Sequence, residues 1–230
     1  HNLSVVKDTN PDCPPDARYK AVGRGKPLAN EPSPYEHGLY VLKSADGVHW
    51  RPVRDKPVIT QGKFDSHNIM FWDSVLGSYR AYWRDSRRPG GSVPTGRDVR
   101  TAISCDGVTW QKSHMLEYDP GRRGSADTDG NPHQYYTNGI QPYPRAPHLL
   151  LGFPMRYNDR GWTPSTDQLP APRDRKRVSK QLHRLSTALT DTLLMVSRDG
   201  TRFHVWPEAF VRPGIQRRGN WFYGDSGIAL

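Results

Sequence analysis

Apolar and polar positions alternate along most of this chain in short runs, the period-two pattern of half-buried β-strands, and the runs stop at clusters of Gly, Pro, Asn, Asp or Ser. Three runs end in the same way. VLKSADGVHW (Val41 to Trp50), AISCDGVTW (Ala102 to Trp110) and LMVSRDGTRF (Leu194 to Phe203) each read as an apolar strand followed by Ser-x-Asp-Gly-x-x-aromatic. Asp-Gly after an apolar strand is a hairpin signal, because Gly accepts the positive φ of a tight turn and Asp bonds the turn's backbone. Each motif is predicted to join two antiparallel strands.

Two more strands precede each hairpin in the same order. Before DVRTAIS lie GSYRAYWRD (Gly77 to Asp85) and SHNIMFWD (Ser66 to Asp73). The first unit offers HNLSVVKD, a Pro-rich turn, RYKAVGRG and GLYVLKS; the third offers YTNGIQPYP, HLLLGFPMRY and DTLLMVS. His1-Asn2, His67-Asn68, Thr137-Asn138 and Asp225-Ser226 fall at the openings of successive first strands. The motif aspartates Asp46, Asp106 and Asp199 stand 60 and 93 residues apart, too uneven for identical solenoid rungs and suited to a unit with variable loops.

A repeated four-stranded antiparallel unit is the pattern of a β-propeller blade. The predicted fold is therefore an all-β propeller forming a single domain over 1–230, with blades near 1–62, 63–120 and 132–215 and a further blade starting at 222. Since about four blades are the fewest that close a ring, three blades and the opening strand of a fourth lead us to expect a segment of a longer propeller. Helical signals are nearly absent. The insertion from Asn158 to Thr187 is too long for an ordinary blade connection. It reads as an irregular loop with a short helix near Val178 to Leu185, and is expected either over one mouth of the channel or disordered.

Composition narrows the partners. In 230 residues, 34% hydrophobic and 24% charged, there is apolar material for a sizeable core. No run approaches the roughly 18 apolar residues of a membrane helix, so no membrane partner is expected. The chain opens on His rather than Met and shows no leader pattern, so any targeting segment is expected to lie outside it. Cys13 and Cys105 form no metal-ligand spacing and are too few for a disulfide framework, so no metal is predicted. A net charge of +10 suits an acidic polymer, but the basic residues are scattered except in RDRKRVSKQLHR (Arg173 to Arg184), read as a solvated loop. Nucleic acid is not an expected partner. Neither a P-loop nor a dinucleotide fingerprint is present, and no cofactor is predicted.

The blade pattern, with SxDGxxW between third and fourth strands and acidic or amide residues opening each first strand, resembles the five-bladed propeller glycosidases, the superfamily of glycoside hydrolase families 32 and 43. The turn is also similar to the Asp-box of sialidases. The resemblance covers nearly the whole chain. It implies five blades in the full protein, a carbohydrate substrate, a secreted or periplasmic location, and catalytic carboxylates at the axial ends of innermost strands. Asp65, in KFDSHN, matches by position the family 32 Arg-Asp-Pro aspartate, and Asp225, in YGDSG, is the corresponding acid two blades later. The chain departs from the family pattern. It has no Trp-Met-Asn-Asp-Pro-Asn, no Arg-Asp-Pro and no Glu-Cys pair, and the blade between offers Asn138 instead of a carboxylate.

Glycoside hydrolysis needs one protonated carboxyl to donate to the leaving oxygen and another, ionised, to attack the sugar or activate water. Two acids facing one pocket divide these roles as like charge and burial raise one pKa. Asp65 and Asp225 are the predicted catalytic pair; the alternative is that Asp65 caps a strand entrance and Asp225 forms an Asx-turn. Asp129 reads as a turn residue, with reach to the axis from its loop as the alternative, and Glu208 as part of an outer strand. His67, Asn68 and Asn138, with His1 and Asn2 in the equivalent place, are predicted to bind sugar hydroxyls or else to pack loop onto strand. Arg84 and Arg156 are predicted either to hold a carboxylate or sulfate or to pair with Asp85 and Asp159. Trp50, Trp72, Trp83 and Trp110 read as blade-to-blade core, while Trp162, in the insertion, is placed to stack on a sugar. Three functions follow from different classes: a glycosidase, a propeller that binds carbohydrate or protein without catalysis, and a sialidase-like enzyme.

Overall fold

A computed structural model describes residues 3–25, 36–87, 96–119, 134–158, 160–182 and 187–214. His1, Asn2, Asp129, Asp159, Asp225 and the blade expected from 222 lie outside the described residues. The first sheet is β1 (Ser4–Lys7), β2 (Tyr19–Gly25), β3 (Gly38–Ser44) and β4 (Arg51–Pro52), in that order. The second repeats it with β5 (Ile69–Asp73), β6 (Ser78–Arg87), β7 (Gly96–Ser104) and β8 (Gln111–Met115). All neighbours in both sheets are antiparallel. This is the up-and-down meander of a propeller blade.

The next unit follows the same path with broken strands. After a short β9 (Glu117–Tyr118), the first strand comes in two pieces, β10 (Gln134–Tyr135) and β11 (Gln141–Tyr143). The second is β12 (Ala146–Gly152) and β13 (Met155–Asn158), the third β14 (Leu189–Thr192) and β15 (Met195–Ser197), and the fourth β16 (Arg202–Val205). The breaks fall at one level. Pro154 has no N–H for the ladder, and Gly139 turns the first strand at φ 52, where an added Cβ would lie 3.2 Å from the Phe153 carbonyl oxygen. The sequence predicts unbroken strands here. β9 leaves its own sheet and pairs in parallel with β16, tying the second unit to the third.

Residue parity in the second sheet shows how the units stack. Met70, Ala81, Trp83 and Ala102 join Val22, Leu39 and Val41 of the first sheet in one buried cluster. Their chain neighbours Phe71 and Tyr82, with Val99, join Leu150, Met195, Phe203 and Val205 of the third unit in another. The second sheet is thus buried on both faces, as successive side chains of a strand require. Trp83 is fully buried in the first of these clusters and half-buried Trp110 packs against it, as expected for blade-to-blade residues. Half-buried Trp50 instead donates to the Gly47 carbonyl of its own turn, and half-buried Trp72 packs on Tyr79 of its own sheet.

The three motifs build one turn. In each, the serine hydroxyl (Ser44, Ser104, Ser197) bonds the aspartate Oδ1 at 2.8–3.0 Å and accepts the glycine N–H at 2.9 Å. The same Oδ1 accepts the next two backbone N–H groups at 2.7–2.9 Å. Desolvation raises the Asp106 carboxyl, but the bonds from Thr109, Val108 and Ser104 outweigh it and pull its pKa down to about 2. A pKa depressed on folding gives stability that is present above the unfolded value of about 3.9 and lost as pH falls towards 2. Asp106→Asn is therefore expected to flatten the acid limb of the stability curve between about pH 4 and 2, read by chemical denaturation against pH. An unchanged limb would show that these bonds do not couple protonation to folding.

The units also share a buried ion pair at one register position. Asp8 holds Lys20 in the first sheet, and Asp73 holds Arg80 in the second. The Tyr79 hydroxyl of the second sheet donates to Asp8 of the first at 2.7 Å, and Tyr82 of the second donates to the Gly200 carbonyl of the third unit's turn at 2.8 Å. Each unit is pinned to the one before it.

The meander sorts the connections. The Ser-x-Asp-Gly turns lie at one end of the sheets, together with the turns that join first to second strands. At the other end lie the first-strand entrances and the connections from second to third strands. The insertion after Asn158 leaves from this second end, because Asn158 pairs with Leu189 across β13 and β14. It carries a 3-10 turn at Pro164–Gln168 and helix α1 (Pro172–Leu182), which begins six residues before the predicted start. Pro172 at the first helical position and Asp174 in the first turn favour that earlier start.

Candidate functional site

The first-strand entrance of the second sheet is an unusually constrained piece of backbone. Gly62 and Phe64 both have positive φ, 149 and 56. A bulky residue in the left-handed region costs roughly 1–3 kcal/mol and persists only where its surroundings over-determine it. They do so here. The Phe64 ring is fully buried and lies 5.3 Å from the His37 ring. The Lys63 N–H donates to the Arg84 carbonyl at 3.0 Å. The Asn68 amide donates to the carbonyls of Phe64 and Ser66 at 3.1 and 3.0 Å.

The third unit locks the same loop from the other side. The Ser66 hydroxyl donates to the Tyr136 carbonyl at 2.6 Å, and the Asn138 amide donates to the His67 carbonyl at 2.9 Å. Asn138 also receives the Ile140 N–H at 3.2 Å. Asn68 and Asn138 are 0% and 1% exposed. Predicted as sugar ligands or as packing residues, they hold the loop through their amides, Asn68 by two bonds to backbone carbonyls and Asn138 by one, while the Asn68 Oδ1 is buried without a hydrogen-bond partner among the described residues.

This loop presents Asp65, whose side chain is 38% exposed, beside half-buried His67. Arg84 grips the carboxylate with both arms of its fork, Nε to Oδ1 at 2.5 Å and Nη2 to Oδ2 at 2.7 Å. Its guanidinium also lies 5.9 Å from the Tyr136 ring centre. Burial pushes the Asp65 pKa up, but the bonds and charge of Arg84, with the charge of Arg24 behind them, outweigh it and hold the carboxyl below its ordinary value. Asp65 is ionised at neutral pH. With both oxygens engaged it is a weak base, and each oxygen keeps a lone pair that can accept a further hydrogen bond.

The two predicted arginines part company. Arg84 pairs with Asp65 rather than Asp85, which goes to Arg100 at 2.8 Å. Arg156 faces Asp191 directly across the ladder, bonds it at 2.9 and 2.5 Å, and donates to the Pro207 carbonyl at 3.1 Å. That guanidinium is engaged within its own unit, and Asp159, its predicted partner, lies outside the described residues. Trp162 donates to Asp167 at 3.3 Å and lies under Lys176, within the insertion. Glu208 is exposed and pairs with Arg212.

Sequence reasoning passed over Arg24, Arg97, Tyr136 and Phe64. Arg97 is stacked between the rings of Tyr136 and Tyr157, 5.0 and 4.8 Å from their centres. Arg24 was within reach of the sequence, because it stands 60 residues before Arg84, the same offset that separates the first two motifs.

The first strands also line a cavity of about 430 Å³ bounded by Val5, Lys7, Phe71, Trp72, Gln141 and Pro142. It includes Thr9, Ser74 and Pro144 from the first-to-second-strand turns, so it belongs to the end opposite Asp65. Among the described residues no cluster of His, Cys, Asp or Glu could hold a metal ion, and no helix is long and apolar enough to cross a membrane.

No protein-family model and no curated protein matches the chain. Several solved structures are similar to it. A glycoside hydrolase is 17% identical, with 86% of this chain and 51% of that one covered at a TM-score of 0.48. The Bombyx mori GH32 beta-fructofuranosidase BmSUC1 is 14% identical, with 88% and 40% covered at 0.43. An N-acetylgalactosamine deacetylase from F. plautii, in complex with blood group B trisaccharide, is 14% identical, with 93% and 71% covered at 0.37. The chain spans about half the length of that glycoside hydrolase.

Proposed function

We propose that this chain carries part of the active site of a glycoside hydrolase, at the end of the propeller where Asp65 is presented. The supporting observation is the combination of a left-handed Phe64 with a carboxylate gripped at both oxygens by Arg84. Strain of this kind collects where a side chain must be held in one orientation for function.

The state of Asp65 fits one of the two carboxyl roles. An ionised carboxylate cannot donate the proton that the leaving oxygen needs. It can accept a hydrogen bond from a ring hydroxyl and face the positive charge that develops at the anomeric carbon, an interaction stronger in the transition state than in the ground state. The proton donor then comes from elsewhere, and Asp225 is assigned to it by position in the sequence. Asn68, Asn138 and Ser66 act through Asp65 and His67 by holding their loop.

Asp65→Asn in the full-length protein is expected to lower kcat/KM for glycan hydrolysis by about 10²-fold. Stability should fall by about 1–3 kcal/mol, because Arg84 is only 11% exposed and loses its charge partner while the Asn oxygen keeps one of the two bonds. Release of reducing sugar and thermal unfolding measure the two. Turnover retained in both Asp65→Asn and Asp225→Asn would make a non-catalytic carbohydrate-binding propeller the better account.

A further inference from the structure

We infer that the glycan taken at this end is anionic, and that Arg24 holds its carboxylate. This rests on the carbohydrate reading above and narrows its substrate class.

Register places Arg24. Tyr19 pairs with Ser44 in the first sheet as Tyr79 pairs with Ser104 in the second, so the residues five further on, Arg24 and Arg84, are counterparts. They pair across to Leu39 and Val99, at the same end of adjacent sheets. Arg84 shares the parity of Tyr82, which packs toward the third unit, and its guanidinium meets Tyr136 there. Arg24 shares the parity of Val22, which packs toward the second sheet. It therefore points at the entrance that presents Asp65, and its charge is felt at that carboxylate.

The two arginines differ in what they hold. Arg84 is held by Asp65 through a two-bond, charge-paired contact. The Nε of Arg24 is buried and has no hydrogen-bond partner among the described residues. A buried charged donor without an acceptor is costly and rare, and each case in a folded protein calls for a reason. Asp65 is the bidentate partner of Arg84 and supplies a single negative charge to two guanidinium groups, so these three groups carry one net positive charge. A sugar hydroxyl would satisfy a single donor and leave that charge. A carboxylate is planar, accepts from two guanidinium N–H groups at once, and cancels it. The net charge of +10 adds a long-range attraction for an acidic polymer.

The test is calorimetric binding to full-length protein of paired probes: oligomers of galacturonate, glucuronate and guluronate, each beside the same oligomer with its carboxylates reduced to alcohols. At least one charged oligomer is expected to bind about tenfold or more tighter than its reduced partner. Arg24→Met should abolish that preference while leaving the melting temperature at or above wild type, because an unpartnered buried charge has been removed. Equal affinity within every pair would overturn the inference and leave the carbohydrate reading standing. A preference that survives Arg24→Met would overturn the assignment of Arg24. Binding to none of the oligomers, charged or reduced, would overturn the inference and count against the carbohydrate reading as well.

Discussion

Gly200→Ala is expected to cost about 3 kcal/mol or more, while the same change in the two equivalent turns, at Gly47 and Gly107, costs about 1 kcal/mol each. All three glycines have positive φ, 73, 79 and 74, so the backbone penalty is shared. The surroundings are not. A Cβ at Gly47 or Gly107 would meet a Tyr19 or Tyr79 ring atom at an ordinary 3.7 or 3.6 Å. A Cβ at Gly200 would lie 2.4 Å from Arg80 Cζ. An arginine tip can usually swing aside, but Arg80 is 5% exposed and its Nε is bound to the equally buried Asp73 at 3.1 Å. Moving it strips a buried carboxylate of its charge partner, which costs roughly 3–5 kcal/mol when the partner is removed outright. The low end applies, because Asp73 keeps the N–H groups of Val75 and Leu76 at 3.1 and 3.0 Å. Urea denaturation of the three variants at neutral pH checks this. Equal losses at all three positions would mean that Arg80 relaxes without leaving Asp73.

The contrast also shows what could be read from the chain and what could not. The turn was legible because Ser-x-Asp-Gly makes all its bonds within a few residues. Strand order was legible for the same reason, since alternation and turn residues are local. The third unit's broken strands were not, because Gly139 in YTNGIQPYP and Pro154 in HLLLGFPMRY stand far apart in the chain and neither one alone says that paired strands break together. The break needs Gly139 and Pro154 at one level, which exists only once the strands are paired. At the site, the position of Asp65 was legible but its partner was not. Arg84 and Asp65 are 19 residues apart, while Asp85 is adjacent in sequence to Arg84 and points elsewhere. Asn68 and Asn138 could be read either as ligands or as loop packing, because a polar residue at a strand entrance carries no mark of which way its amide turns. Arg24 needed only the 60-residue offset applied a second time.

The same offset isolates the residue on which the candidate site rests. Position 83, moved back 60 residues, is Gly23, so the tryptophan belongs to the second unit, the one that presents Asp65. Trp83 is fully buried, and its indole Nε1 donates to the Gln61 carbonyl at 2.8 Å. A Cβ at Gly62 would lie 2.5 Å from that nitrogen, so the backbone leading to Phe64 and Asp65 rests directly on the ring. Trp83→Ala is expected to lose roughly 3–5 kcal/mol through the cavity it leaves, enough to threaten folding. Trp83→Phe is the more informative change. It keeps an aromatic plate but drops the indole N–H, leaving the Gln61 carbonyl without its donor, at a cost of about 1–3 kcal/mol. The loop then loses a constraint that holds Phe64 in its left-handed conformation, and Asp65 gains freedom. Misplacement of a catalytic group by about 1 Å can cost up to about 10²-fold. If Asp65 acts on the glycan as proposed, Trp83→Phe should lower kcat/KM by about tenfold at a temperature where the variant is fully folded by circular dichroism, though Trp83 touches no substrate. Wild-type kcat/KM under those conditions would show that the ring supports the fold alone and that Asp65 is positioned by Arg84 and Asn68 without it.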